Sequence, residues 1–370
     1  MPRVSPQHPE IDAMTSAPHA VNQSRSAGRT SAPNVAIVGV TGAVGQEFMR
    51  VLAQRDFPIG QLKLLASARS AGKSVTFRDK TYTIEELTEQ SFKGVDLALF
   101  SAGGSISKKY AHAAVAAGAV VVDNSSAFRM AEGVPLVVPE VNAEAITDAG
   151  IKLGEKPGII ANPNCSTILM LVAVTPLHRA AQAKRIIVST YQAASGAGAA
   201  AMAELAQQTR EVLAGQPVTK AIFSLQYAFN LFSHNSAMQP NGYNQEEMKM
   251  VDETHKIWGD AKVGVNATCI RVPVMRAHAE SMTIEFENPI DEATAREVLR
   301  QAPGVSLMDD RENNHFPTPL DASDRDDVYV GRIRGDLSAT DGRSLSLFIC
   351  GDQIRKGAAL NAVQIAELLL

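Results

Sequence analysis

Ala161-Asn162-Pro163-Asn164-Cys165-Ser166-Thr167 runs straight into the apolar stretch Ile168 to Val174. If that stretch is a helix, Cys165 stands at its N-terminus. Unpaired amide N–H groups and the macrodipole there favour thiolate over thiol and leave donors for an oxyanion. That is a nucleophile's position. Cys269 and Cys350 lie inside apolar strand patterns and read as small core residues. A second chemical feature comes earlier in the chain. Val35-Ala36-Ile37-Val38 ends in Gly39-Val40-Thr41-Gly42-Ala43-Val44-Gly45, and Phe48, Val51 and Leu52 then recur at helical spacing. A G-x-x-G-x-x-G turn between strand and helix lets backbone amides approach a pyrophosphate, although the spacing alone also fits a structural turn. The following strand ends Ala66-Ser67-Ala68-Arg69-Ser70-Ala71-Gly72-Lys73. An NAD site would place a carboxylate there; two cations and no carboxylate fit the 2′-phosphate of NADP, or else a solvated basic loop.

These groups need a frame. Apolar runs at Leu62 to Ala66, Val95 to Phe100 and Val120 to Val122, with an Ala-rich helical stretch around Tyr110 to Ala117, alternate strand with helix. The pattern predicts an α/β fold with a parallel, doubly wound, Rossmann-like sheet. Beyond residue 165 the character changes. Arg185 to Tyr191, Val263 to Val272, Ser281 to Glu287, Val328 to Arg334 and Leu345 to Gly351 read as strands. Ala199 to Leu213, Gln245 to Trp258 and Asp291 to Gln301 read as helices, which makes a mixed α+β second domain. The division expected is an N-terminal extension over 1–33, a nucleotide-binding domain over 34–164 and a catalytic and dimerisation domain over 165–356. The apolar helix within 357–370 is expected to pack back on the nucleotide-binding domain.

Composition narrows the partners. The chain has 370 residues, 35 of them basic and 39 acidic, and a formal charge of −4 offers no basic stripe for nucleic acid. Three widely spaced cysteines and no C-x-x-C pair give neither a disulfide framework nor a zinc site, so a reducing, cytoplasmic setting is expected and no metal. Pro157 to His178 is uncharged, but its Asn and Pro residues exclude a membrane span. Residues 1–33 lack the apolar content to fold and read as a disordered tail. Arg3, Arg25 and Arg29 among serines resemble an organelle import signal, against which Glu10 and Asp12 argue.

Further motifs share one order along the chain: Asp123-Asn124-Ser125-Ser126-Ala127-Phe128-Arg129, Gln192 with Ser195-Gly196, Glu246-Glu247-Met248-Lys249, Arg271-Val272-Pro273-Val274 through His278, and Gly357-Ala358-Ala359-Leu360-Asn361. With the glycine turn, the Arg69 segment and the Cys165 segment, they resemble the aspartate-semialdehyde dehydrogenase family from Val35 onward. The resemblance implies NADPH-dependent reductive dephosphorylation of L-aspartyl 4-phosphate to L-aspartate 4-semialdehyde by a homodimer. It implies Cys165 as the acyl-thioester nucleophile and His278 as general acid/base. Gln192, Glu246 and Arg271 would bind substrate, and Arg129, Lys249 and Asn164 would hold phosphate. Gly39, Thr41, Gly42, Ala43, Val44, Gly45, Arg69, Ser70, Ser195, Gly196 and Asn361 would bind the cofactor. Read without the resemblance, Glu246 and Lys249 are also a surface i,i+3 ion pair, Arg271 a structural residue and His278 one histidine among eight. N-acetyl-glutamyl-phosphate reductase, or a non-catalytic NADP-binding relative, would share the plan; Glu246 with Arg271 suits a free amino acid instead.

Overall fold

The computed structural model describes residues 32–339 and 341–370. Apart from Ala32 and Pro33, the extension expected over 1–33 lies outside the described residues. Among the described residues fifteen strands follow in chain order: β1 (Val35–Val38), β2 (Leu62–Ala66), β3 (Ser74–Phe77), β4 (Lys80–Thr83), β5 (Glu85–Glu86), β6 (Leu97–Phe100), β7 (Val120–Asp123), β8 (Ile159–Ala161), β9 (Ala183–Gln192), β10 (Phe232–Ser233), β11 (Gly264–Arg271), β12 (His278–Phe286), β13 (Val305–Leu307), β14 (Val328–Gly335) and β15 (Ser344–Gly351).

The first sheet has the order β5-β2-β1-β6-β7-β8 and is parallel throughout. Its central strands β1, β6 and β7 are buried at every position because both faces are covered, and they are apolar throughout except for Asp123 at the end of β7. The chain passes from β1 to β2 on one side and returns to β6 on the other, so the crevice for a ligand opens beyond the ends of β1 and β6. The short β3–β4 hairpin carries too few residues to show a period in sequence.

The second sheet has the order β10-β11-β9-β12-β15-β14-β13 and mixes parallel and antiparallel pairs. The helix Cys165–Ala181 lies in its core, apolar on every side and buried at Ile168 through Thr175. It continues through Pro176, past the apolar run that marked it in the sequence.

The C-terminal helix Leu360–Glu367 returns to the first sheet, where Leu360, Val363 and Ile365 join the core of Val35, Leu52 and Val122. A π-helical turn, Arg355–Ala359, precedes it. Buried Lys356 there fills all three ammonium donors, to Glu140 Oε2 at 2.6 Å, Asn361 Oδ1 at 2.9 Å and Gln364 Oε1 at 2.7 Å. Removing one partner from such a buried pair costs about 3–5 kcal/mol, which pins this segment across the sheet. Among the described residues no helix is long and apolar enough to cross a membrane.

Candidate active site

Cys165 lies a few residues past β8, at the carboxyl edge of the first sheet, and opens the helix that fills the core of the second. Its position matches the sequence reading; its electrostatics do not. Asn164 caps the helix, and its Oδ1 accepts from the amides of Ser166 at 3.0 Å and Thr167 at 3.3 Å. Those two donors are therefore not free for an oxyanion. The side chain is half-buried, and burial, followed by the Glu246 carboxylate, pushes the thiol up to about 12 against the pull of Arg129, Lys249 and Arg271. The resting sulfur is a thiol rather than a thiolate, because burial outweighs what a helix N-terminus offers.

Gly357, in the π-helical turn, packs directly on this cysteine. A methyl group there would come within 2.8 Å of Cys165 Cβ, so only glycine lets the C-terminal segment close over the nucleophile.

Around Cys165 the ionic groups form a connected set. Glu246 is buried on the helix Gln245–Trp258 and accepts from Lys249 Nζ at 2.8 Å, Asn164 Nδ2 at 2.8 Å and Gln192 Nε2 at 3.1 Å. The exposed ion pair that the i,i+3 spacing also allowed is thus excluded. Burial raises the Glu246 carboxyl, but the Lys249 ammonium and the hydrogen bonds from Lys249 and Asn164 outweigh it and hold the group well below the usual carboxylate range. Glu246 is an anion. Arg129 donates to Glu253 Oε1 at 3.0 Å, Asn162 O at 2.9 Å and Asn124 O at 2.9 Å, which leaves two of its five N–H groups for a ligand. Glu253 was not singled out in the sequence. Its other oxygen accepts the Asn164 amide at 2.6 Å, so one buried carboxylate fixes both an expected phosphate ligand and the residue before the cysteine. The only sequence signal for it was its helical spacing, one turn beyond Lys249.

Arg271, Gln192 and His278 end three adjacent strands, β11, β9 and β12, with Arg271 opposite Gln192 in the register. His278 is the first residue of β12, paired with Gly351. Pro273 interrupts the run after Arg271, and the chain re-enters the sheet through Ala277 in the left-handed region (φ 69°), whose amide donates to Gln353 Oε1 at 3.0 Å. The His278 ring is wholly buried. Its Nδ1 accepts the Ala193 amide at 3.0 Å, and its Nε2 has no partner. Burial, and then Arg271, pull its pKa down to about 3. The ring is neutral, and with Nδ1 accepting, its hydrogen sits on Nε2. Gly196 lies beneath it, 2.9 Å from Cε1 to the nearest added methyl.

Glu280 follows on the same buried face of β12, with neither carboxyl oxygen hydrogen-bonded. Burial raises its pKa well above the carboxylate range. The folded protein therefore holds a proton here that the unfolded chain releases above about pH 4.3, and stability falls as pH rises from that value toward the folded pKa. Glu280→Gln is expected to melt a few degrees above the wild type at pH 8, with the gap closing toward pH 4. Thermal unfolding across that range checks it, and a gap independent of pH contradicts it.

The glycine turn has the geometry a pyrophosphate needs. The helix Ala43–Gln54 has no side-chain cap at Gly42 and no acidic residue in its first turn, so nothing competes with an anion for its amides. A side chain at Gly45 would collide with Gly39 O. Gly39 through Gly45 follow β1 at the crevice, with Thr41 and Gly42 exposed and Ala43 and Val44 half-buried. Arg69 stands exposed just beyond β2, and Ser70 beside it is buried. Ser195 accepts from Gln353 and lies near Gly196. Asn361 spends both amide hydrogens within the protein, on Val137 O at 3.0 Å and Asn162 Oδ1 at 2.7 Å, and braces the Cys165 segment rather than offering them to a ligand.

Two family models match the chain in the order of its two sheets: the semialdehyde dehydrogenase NAD binding domain over residues 34–149 and the semialdehyde dehydrogenase dimerisation domain over 174–356. Aspartate-semialdehyde dehydrogenase of Synechocystis sp. is 54% identical over 91% of this chain and 97% of its own length. The Aquifex aeolicus protein of the same name is 52% identical over 91% of this chain and 97% of its own. The crystal structure of aspartate semialdehyde dehydrogenase II from Vibrio cholerae, known also complexed with ASA, superposes with a TM-score of 0.86 at 47% identity, covering 92% of this chain and 98% of that one. With that likeness running through both sheets and the cysteine between them, the chain belongs to the aspartate-semialdehyde dehydrogenase family.

Proposed function

We propose that this protein catalyses the NADPH-dependent reductive dephosphorylation of L-aspartyl 4-phosphate to L-aspartate 4-semialdehyde, reversibly, through an acyl-thioester on Cys165. The observation that carries the reading is the cysteine at the junction of the two sheets, ringed by Glu246, Lys249, Arg129 and Arg271. Arg271 clamps the α-carboxylate of the substrate and Glu246 takes its ammonium, while Gln192, tied to Glu246, orients the chain between them. An N-acetylated substrate offers no ammonium to this buried anion, which disfavours an N-acetyl-glutamyl-phosphate reductase. Lys249 and the two free N–H groups of Arg129 hold the phosphate, with Asn164 between them.

Attack of sulfur on the acyl carbonyl places negative charge on its oxygen, and the unpartnered Nε2–H of His278 is the donor aimed at that charge. The C–O bond to phosphate breaks as the C–S bond forms, and the thiol hydrogen ends on the released phosphate. A reduced dinucleotide, when bound, would supply the hydride that reduces the thioester. His278 holds the resulting thiohemiacetal oxygen, and as the C–S bond breaks and the aldehyde leaves, the sulfur takes up one proton from solvent, the proton that the overall reduction consumes.

Gly39 through Gly45 would hold the pyrophosphate. Arg69, which makes no hydrogen bond or ion pair among the described residues, would hold the 2′-phosphate. Arg69→Ala is expected to weaken NADPH roughly 10-fold or more and leave NADH nearly unchanged, as one charge-assisted contact predicts; equal losses in a binding titration would show that Arg69 does not read the phosphate. The dimerisation-domain match supports a homodimer, and three free cysteines suit a reducing, cytoplasmic setting. Absorbance of reduced cofactor in a mixture of L-aspartate 4-semialdehyde, phosphate and NADP tests the whole reading. No phosphate-dependent signal would refute it.

A further inference from the structure

Arg271 is oriented by a histidine that no motif marked. Its Nη2 lies 2.7 Å from His234 Nε2, its Nε donates to Asn235 Oδ1 at 3.3 Å and its Nη1 to Ala193 O at 3.4 Å. His234 follows β10, whose residues pair with Arg271 and Ile270, and its own amide donates to Cys269 O at 2.8 Å. The imidazole is thus fixed by the same strand that carries the arginine.

Two fixed donors face the ring, Arg271 Nη2 at Nε2 (2.7 Å) and the Ser236 amide at Nδ1 (3.2 Å); a neutral imidazole accepts at one nitrogen only, and the shorter contact, to the cation, takes it, so the ring hydrogen sits on Nδ1. That nitrogen faces Ser236 Oγ at 3.1 Å; the hydroxyl in turn donates to Asn244 Oδ1 at 3.2 Å and accepts the Glu246 amide at 3.0 Å. Asn244 is the N-cap of the helix that bears Glu246.

We propose that His234 is a positioning residue that couples the two charges reading a free amino acid: it sets the plane of Arg271 through Nε2 and, through Ser236 and Asn244, the start of the Glu246 helix through Nδ1. Three of the five Arg271 donors are spent in this way. One remains on each terminal nitrogen, the pair that an end-on carboxylate takes. The proposal rests on the reading of Arg271 as the carboxylate clamp.

Only the neutral ring can perform this task. The charged groups facing it are Arg271 from β11 and Glu246 and Lys249 from the neighbouring helix; the titratable but neutral His278 faces it from β12. Burial holds the ring down to about 4; Glu246 pulls it up, and Arg271 and Lys249 oppose that pull. A proton gained in acid would remove the acceptor and set a second cation against Arg271.

The test is steady-state kinetics with the semialdehyde, phosphate and NADP on wild type, His234→Ala, His234→Gln and Arg271→Lys. For His234→Ala, KM for the semialdehyde is expected to rise roughly 10- to 100-fold, the size of one lost hydrogen bond to a charged group, with kcat and the KM for NADP little changed. His234→Gln keeps an acceptor oxygen and should recover most of the loss. Its semialdehyde KM should also stay flat as pH falls toward 4, where the wild-type value climbs. A wild-type KM and pH profile in both His234 variants, beside a raised KM in Arg271→Lys, would overturn the proposal while sparing the clamp. An unchanged KM in Arg271→Lys removes the clamp and this proposal with it. If His234→Ala does not fold, the pH profile of His234→Gln decides.

Discussion

Cys165→Ala is expected to lower turnover roughly 10⁴-fold or more while NADPH binds as it does to the wild type. The loss is large because nothing nearby can replace the sulfur. Ser166 and Thr167, the adjacent hydroxyls, are buried in the first turn of the helix, and Cys269 and Cys350 are buried in strands of the second sheet. Cofactor binding is spared because the glycine turn belongs to β1 and the helix Ala43–Gln54, which make no use of the cysteine. Single-turnover kinetics together with a fluorescence titration of NADPH would measure both quantities. Turnover near the wild-type rate would dispose of the covalent route.

His278→Asn should lower kcat by about 10²- to 10³-fold, the cost of removing one donor preorganised toward a developing oxyanion. KM should move far less. The geometry behind this is the pairing of Nδ1 with the Ala193 amide, which fixes the ring and leaves Nε2 without a partner inside the protein. The shorter asparagine cannot satisfy that amide and also reach the substrate. Substrate contacts through Arg271 and Glu246 remain, so affinity persists. A raised KM with kcat preserved would make His278 a binding residue instead.

Much of this site was legible in the chain because its pieces are local. The glycine turn, the cysteine before an apolar helix and the Glu246-x-x-Lys249 turn each sit within one element. Central strands were equally plain, since continuous apolar runs mark a sheet covered on both faces. What stayed hidden is made by contacts between distant segments. Glu253 meets Arg129 across the junction of the two sheets, and His234 reaches Arg271 through β10, a strand of two residues with no period to read. The protonation state of Cys165 was misjudged for the same reason: a helix N-terminus shows in sequence, but the burial that outweighs it and the Glu246 carboxylate that adds to it come from elsewhere in the chain. Asn361 likewise looked available until Val137 and Asn162 were seen to claim its amide.

A sulfur that keeps its hydrogen until substrate arrives has a further consequence. Peroxide and simple alkylating reagents attack the ionised form, so the idle enzyme should be spared the oxidative damage to which low-pKa cysteines are prone. Inhibitor chemistry inherits the same constraint. An intrinsically reactive warhead gains little here; a mild electrophile carrying a carboxylate and an amine, docked so that the nucleophile is armed only in its presence, should discriminate better.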